Sequence, residues 1–235
     1  MPDQASYVFP PAAVVSVPVL GTAARFPVQR VYCVGRNYEE HAKEMGFSGR
    51  EAPFFFLKPA NALLPAAQGE TASMPYPSLT HELHHEVELV VAIGLGGKNI
   101  AAADAPRHVF GYAVGLDMTR RDLQNDMKKQ GRPWSIGKAF DHSAPIGPIT
   151  PAALAGGAAQ AEITLEVNGS VRQRSDTGML IWSIPEIIEH LSAAWELRAG
   201  DLIYTGTPHG VAAVLPGDTM LAAVAGLVPL RVRVV

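Results

Sequence analysis

The run HEVELVVAI (residues 85–93) is short, rich in valine and closed by Gly94, so it is read as a β-strand rather than a helix. Side chains on a strand alternate between faces. Val87, Leu89, Val91 and Ile93 therefore share one face, and Glu86 and Glu88 leave together by the other. Strands also follow from RVYCV (30–34) ending at Gly35, from the aromatic stretch PFFFL (53–57), expected to be buried, and from FGYAVGL (110–116) stopping at Asp117. Residues 162–167 and 170–174 flank Asn168-Gly169, the signature of a hairpin with a type I′ turn. Further strand signals lie at Asp201–Tyr204 and in two apolar runs ending in LRVRVV.

Helices are fewer. Asn37 with Glu40 reads as a capping box, with Gly46 as the stop. Thr119 with Asp122 opens a second helix, to about residue 130. Ser183 with Pro185 opens a third, through Ala194. At least eight strands, about four helices and no regular strand–helix alternation argue against a Rossmann or barrel fold. The expectation is an α+β, β-dominated fold, with residues 1–28 an extended N-terminal segment packing on the core and 29–235 one catalytic domain.

Composition agrees. The 235 residues include 22 Gly and 19 Pro, a surplus that favours many turns over a helical bundle. Apolar residues make up 48%, enough for a sizeable core, and a formal charge of −3 gives no reason to expect nucleic acid or an anionic membrane as partner. The single cysteine, Cys33, cannot form an internal disulfide and is most simply a core residue. The proline-broken N-terminus lacks a basic signal-peptide region, and no apolar run approaches a membrane span, so a cytoplasmic location is expected.

Candidate chemistry gathers around the paired glutamates. Two carboxylates on one face of an apolar strand repel unless a proton, a basic partner or a metal compensates. Asp117, at the end of a second strand, is placed to converge as a third carboxylate. Such a hard-oxygen set suits Mg²⁺, Mn²⁺ or Ca²⁺. A solvated sheet face is the competing reading, and the adjacent His84 and His85 keep zinc as a weaker option beside an ordinary strand-edge role. His41 and Glu44 lie one turn apart, as a general base and its orienting carboxylate would, or as a surface ion pair would. Arg121 and Gln124 share a helix face one turn from the possible metal. Lys138, in the apolar segment SIGKAF, is either a buried cation or a snorkelling one. The turn Tyr204-Thr-Gly-Thr-Pro208 offers hydroxyls and N–H groups to an anion.

In chain order, GRNYEEHAKEMG (35–46), FFFLKP (54–59), HEVELVVAIG (85–94), GYAVGLDMTRRDLQ (111–124), GRPWSIGKAFDHSAPIGP (131–148), VNGSVRQRSDTGMLIW (167–182) and GDLIYTGTPHGV (200–211) together resemble the fumarylacetoacetate hydrolase family, within it the bacterial fumarylpyruvate hydrolases of gentisate breakdown. The likeness spans about residues 30–218, and seven motifs in order are specific where one alone is not. It implies a mixed β-sandwich or roll, a homodimer, and a divalent metal, Mg²⁺ or Mn²⁺, on Glu86, Glu88 and Asp117. It implies that His41 and Glu44 ride on a lid helix and activate water. Arg121, Gln124 and Lys138 would hold the keto-acid end of a substrate, with Thr207 a further contact. His84-His85 departs from the residues usual before the paired glutamates.

The implied reaction is hydrolysis of a carbon–carbon bond in a 2,4-diketo acid, fumarylpyruvate giving fumarate and pyruvate. The distal carboxylate needs a cation, and Arg36, Lys58, Arg120 and Arg132 are the candidates. Oxaloacetate decarboxylation, cleavage of a simpler acylpyruvate and keto–enol isomerisation are alternatives within the family. A non-catalytic ligand-binding module is the alternative outside it.

Overall fold

The run at 87–93 lies inside a sheet covered on both sides, and that explains why every residue of Val87–Ile93 is buried. In the computed structural model, which describes residues 6–39 and 50–235, the larger sheet has eight strands. From one edge its order is Phe54–Lys58, Val31–Gly35, Leu202–Tyr204, Val87–Ile93, Val109–Leu116, Ala144–Ile146 and Leu63–Pro65, with Thr150–Pro151 also pairing to Val109–Leu116. Its centre is antiparallel, Val87 opposite Leu116 and Glu88 opposite Gly115. Leu202–Tyr204 runs parallel to Val31–Gly35 and antiparallel to Val87–Ile93.

A five-stranded sheet forms the second layer: Ser170–Asp176, Glu162–Val167, Thr219–Val224, Leu230–Val234 and Thr71–Met74. Its first two strands are the expected hairpin, and Asn168 (φ 51°) and Gly169 (φ 78°) both take the positive φ that a type I′ turn requires. Val87, Leu89, Val91 and Ile93 face this layer. They share one core with Ile163, Leu165, Met220 and Val232, and with Ile184, Ile187, Ile188 and Leu191 of the helix Ile184–Ala194. The Glu186 carboxylate accepts from both the N–H and the hydroxyl of Ser183 at the start of that helix, 2.9 and 2.7 Å.

The opposite face of the large sheet explains why the glutamates are not solvated. Ser16–Pro18 and Arg25–Pro27 pair antiparallel, and Val17, Val19, Phe26 and Val28 pack with Val90, Ala92, Ala113, Leu202 and Tyr204 in a second core. The face that carries Glu86 and Glu88 is therefore sealed by the N-terminal hairpin farther along the strand. The solvated-face reading is corrected on this point: Glu86 is 5% and Glu88 2% exposed.

Two other expectations change. The aromatic stretch is not an interior strand: Phe54–Lys58 is the sheet's edge, with Phe54, Phe55 and Phe56 half-buried and Leu57 exposed. Thr119 is not a helix cap; it pairs with His84 in a two-residue ladder, and the helix spans Arg121–Lys129. Asp122 instead accepts from the Thr80 hydroxyl (2.6 Å) and the His81 N–H (2.9 Å). The Asn37 side chain donates to the Thr205 and Trp182 carbonyls and accepts from the Trp182 N–H, all within 3.0 Å; the capping box expected with Glu40 involves residues outside those described. His41 and Glu44, with Glu40 and Gly46 of the same expected helix, lie outside the described residues. Among those described, no helix is long and apolar enough to cross a membrane.

Candidate active site

Two neighbouring strands bring the carboxylates together. Glu86 and Glu88 come from one edge of the central strand. Asp117 leaves the end of its neighbour, held by its own N–H on the Glu86 carbonyl at 2.9 Å. One ligand oxygen from each of Glu86, Glu88 and Asp117 lies within 4.8 Å of the others, and all three residues are buried. Unpaired, such a cluster would be prohibitive, because unit charges 4–5 Å apart repel by about 3–4 kcal/mol per pair at an effective dielectric near 20.

Cations answer two of the three. Lys138 donates 2.8 Å bonds to Glu86 Oε2 and to Asp117 Oδ2, and a third to the Thr119 hydroxyl at 2.7 Å. Lys58, nearly inaccessible at 1% exposure, stands 2.8 Å from Asp117 Oδ1 and donates to the Met118 carbonyl. Arg121 pairs with Glu86 Oε1. Burial works to lower the Lys138 ammonium, but Asp117 and Glu86 outweigh it and its pKa stands above the ordinary lysine value. Lys138 is thus a buried cation, not a snorkelling one. Glu88 has no ion pair with any described residue; it accepts the Gly206 N–H at 2.8 Å. Burial first, then Asp117 and Glu86, push its carboxyl well above the usual range.

The turn after Leu202–Tyr204 thus offers its N–H to one of the protein's own carboxylates. Gly206 has φ 107°, and a Cβ there would stand 2.7 Å from that of Asn37, so only glycine brings this amide to Glu88. Next to it, the Thr207 hydroxyl accepts from Gln173 Nε2 at 2.8 Å. Gln173 is buried; its amide oxygen accepts the Val87 N–H at 3.1 Å and lies 2.9 Å from His85 Nδ1.

The remaining expected residues divide. Arg121 and Gln124 stand behind Glu86, bonded to each other at 2.6 Å, outside the set that lines the acidic pit. His84 and His85 do not join the carboxylate group. Burial, then the charge of Arg121, lowers His84 to about 4, leaving it neutral to accept from Arg121 Nε at 3.4 Å. His84 ends the two-residue strand Leu83–His84 as expected, and through Arg121 and Gln173 the two histidines stand behind the pit. Val34, Gly35, Arg36, Phe56, Trp134 and Thr207 complete the pit around the three acids and Lys138. Arg36, Phe56, Trp134 and Lys138 also belong to an adjoining cleft of about 590 Å³, with Phe54, Phe55, Leu57, Arg132, Pro133 and Ser135. Pit and cleft are one depression, polar at its floor and aromatic along its wall.

Two contributors had no usable signal in the sequence. Thr119 reads as a cap, and Gln173 as one polar residue of a hairpin. Pairing with His84 brings Thr119 to the carboxylates, and packing of the second sheet brings Gln173 to Val87 and Thr207.

The site also has relatives. The family model for the fumarylacetoacetate (FAA) hydrolase C-terminal domain matches residues 30–235. A crystal structure of fumarylpyruvate hydrolase from Pseudomonas aeruginosa, in complex with Mn²⁺ and pyruvate, is 57% identical with a TM-score of 0.96, covering 98% of this chain and 99% of that one. By sequence, the mitochondrial oxaloacetate tautomerase of Rattus norvegicus is 41% identical over 206 residues, 88% of this chain and 91% of the relative. The mitochondrial oxaloacetate decarboxylase of Dictyostelium discoideum is 38% identical over 199 residues, 85% and 90% of the two.

Proposed function

The chain belongs to the fumarylacetoacetate hydrolase family, and from that premise we propose that it hydrolyses fumarylpyruvate to fumarate and pyruvate with the help of a divalent metal. The observation that carries the reading is the buried acid triad with Lys138 at the floor of a cleft large enough for a six- or seven-carbon diketo acid. The 57% identity to an enzyme of that name supports it.

The donor set fits a hard cation. Three carboxylate oxygens converge, and the Glu88 charge has no cationic partner among the described residues. Glu86, Glu88 and Asp117 would hold Mg²⁺ or Mn²⁺, which supplies Lewis-acid polarisation of the keto-acid oxygens. The protein's own groups do the rest. Thr207 accepts from Gln173, so its own O–H is free to donate into the pit that it lines. The Lys138 ammonium, held by three acceptors, is aimed at the floor where enolate charge develops. Arg121, with Gln124 behind it, holds Glu86 in place and acts as a positioning residue.

Water adds to the acyl carbonyl carbon. The bond from that carbon to the methylene of the pyruvyl half breaks, its electron pair becomes the pyruvate enolate, and the enolate carbon takes a proton. His41 with Glu44, outside the described residues, is the proposed base for the water. The same resemblance carries the proposal of a homodimer.

The test is product analysis with fumarylpyruvate, acetylpyruvate and oxaloacetate side by side, after EDTA treatment and after Mg²⁺ or Mn²⁺ is restored. Metal-dependent release of fumarate and pyruvate is the expected result. Full activity in EDTA-stripped protein, or faster turnover of acetylpyruvate than of fumarylpyruvate, overturns it. A second reading, tautomerisation or decarboxylation of oxaloacetate, is favoured by the sequence relatives and predicts that oxaloacetate is the better substrate.

A further inference from the structure

The four cations near the site can now be ranked for the distal carboxylate. Lys58 is fully buried and committed to Asp117. Arg120 lies over the Phe140 ring, 4.5 Å from its centroid, and donates to the Ile136 carbonyl. Arg36, at the junction of pit and cleft, is stacked 5.1 Å from the centroid of Phe54 and 5.8 Å from that of Trp134. It has φ 56°, in the left-handed region. Arg132 differs from all three. It lines the cleft and not the pit, it is exposed, and its guanidinium has no ion pair, hydrogen bond or ring contact among the described residues.

We infer that Arg132 is the residue that reads the second carboxylate of a dicarboxylic substrate. The inference rests on the proposed hydrolysis of a diketo acid. It adds that specificity for a fumaryl over an uncharged acyl arm is decided at the far end of the cleft by one side chain. The keto-acid head enters the pit, where the acids, Lys138 and Thr207 converge. The planar unsaturated arm then runs along the wall of Phe54, Phe56 and Trp134, where Phe54 meets Trp134 edge-on at 5.3 Å and 87° and Phe56 lies tilted against it at 6.1 Å. An exposed guanidinium on the cleft wall, outside the pit and unpartnered among the described residues, takes a carboxylate with two parallel hydrogen bonds. Pro133, directly after Arg132, fixes its own φ and biases Arg132 toward an extended backbone, so the arginine is presented by a stiff segment.

The experiment is steady-state kinetics of metal-loaded wild type, Arg132→Leu and Arg132→Lys on fumarylpyruvate and acetylpyruvate. Arg132→Leu should lower kcat/KM for fumarylpyruvate by roughly 10- to 150-fold, the usual worth of hydrogen bonds to a charged group, mostly through KM. It should leave acetylpyruvate within about twofold, because that substrate carries no second carboxylate. Arg132→Lys should recover part of the loss. An equal fall on both substrates, or no fall on fumarylpyruvate, overturns the assignment while the hydrolase reading stands. Failure of the wild type to cleave fumarylpyruvate at all overturns the hydrolase reading, and the assignment with it.

Discussion

Glu88→Gln should make the metal-free protein more stable and the metal-loaded protein less so. Glu88 is the acid of the triad without a cationic partner among the described residues, and its neighbours' oxygens lie within 4.8 Å. At an effective dielectric near 20, each such carboxylate pair repels by about 3.5 kcal/mol. Lys138, between Glu86 and Asp117, returns part of this. We take the net cost of the ionised Glu88 as about 2 kcal/mol, the usual scale for a buried group whose charge is poorly compensated. The sign follows from its raised pKa: a carboxyl pushed up by burial and by Asp117 and Glu86 penalises the fold at every pH above its unfolded value. Glutamine keeps an oxygen for the Gly206 N–H and removes the charge. For a chain of this length, about 2 kcal/mol corresponds to a rise in Tm of roughly 4–8 °C in EDTA. Saturating Mn²⁺ at about a hundred times its Kd should add about 2.7 kcal/mol to wild type, roughly 5–11 °C. Most of that gain should vanish in the variant. Thermal unfolding of both proteins with EDTA and with Mn²⁺ reads all four values. A variant that is less stable in EDTA, or one that keeps the full gain with Mn²⁺, refutes the assignment of Glu88 as a ligand kept at a cost to the fold.

His41→Ala should lower turnover by on the order of 10²–10⁴ with little change in metal binding by calorimetry, the size of a general-base contribution; unchanged turnover removes His41 from that role. Ser183→Ala should cost about 1 kcal/mol by loss of the cap, seen as a drop in Tm of a few degrees. Glu186, which the Ser183 hydroxyl and N–H and the Arg50 guanidinium hold down to about 2, contributes stability that is complete above its unfolded value near 4.5. That contribution is lost as pH falls from there toward about 2, and Glu186→Gln should flatten this part of the pH–stability curve. Arg30→Met should destabilise by about 3–5 kcal/mol in denaturant unfolding, because Arg30 reaches both oxygens of fully buried Asp201, at 2.9 and 2.6 Å, and its loss strands that charge.

How much of this was legible depends on the distance over which each signal acts. Local signals held: the Asn168-Gly169 turn, the Ser183 start of a helix, and the two faces of Val87–Ile93. Strands of two to four residues, such as Thr119–Arg120 or Leu63–Pro65, carry too few side chains for a period to register. Their existence is set by what pairs with them. Thr119 shows the cost of that blindness. Its type and spacing to Asp122 satisfy a capping rule, yet pairing with His84 turns its hydroxyl to Glu86 and Lys138. The edge position of Phe54–Lys58 was equally hidden, because an aromatic run looks the same in an interior strand and on a cleft wall.

The candidate site was legible as residue types and illegible as a balance of charge. The three acids followed from a two-residue spacing and a strand end. That the chain sets three cations against them, Lys58, Lys138 and Arg121, from an edge strand and two short helices, depends on contacts spanning between 21 and 59 positions. The formal charges of these six groups therefore sum to zero without metal. A divalent ion entering this arrangement makes the floor positive by two, and that excess matches the charge of a keto acid with its enolate. Burying three acids among three cations would, on this view, hold a metal site at the modest cost of Glu88 until a dianionic head group arrives. The second carboxylate of a longer substrate then has no use for the floor and must find its cation elsewhere. Arg132, outside that cluster and unpaired among the described residues on the cleft wall, is where the structure offers one.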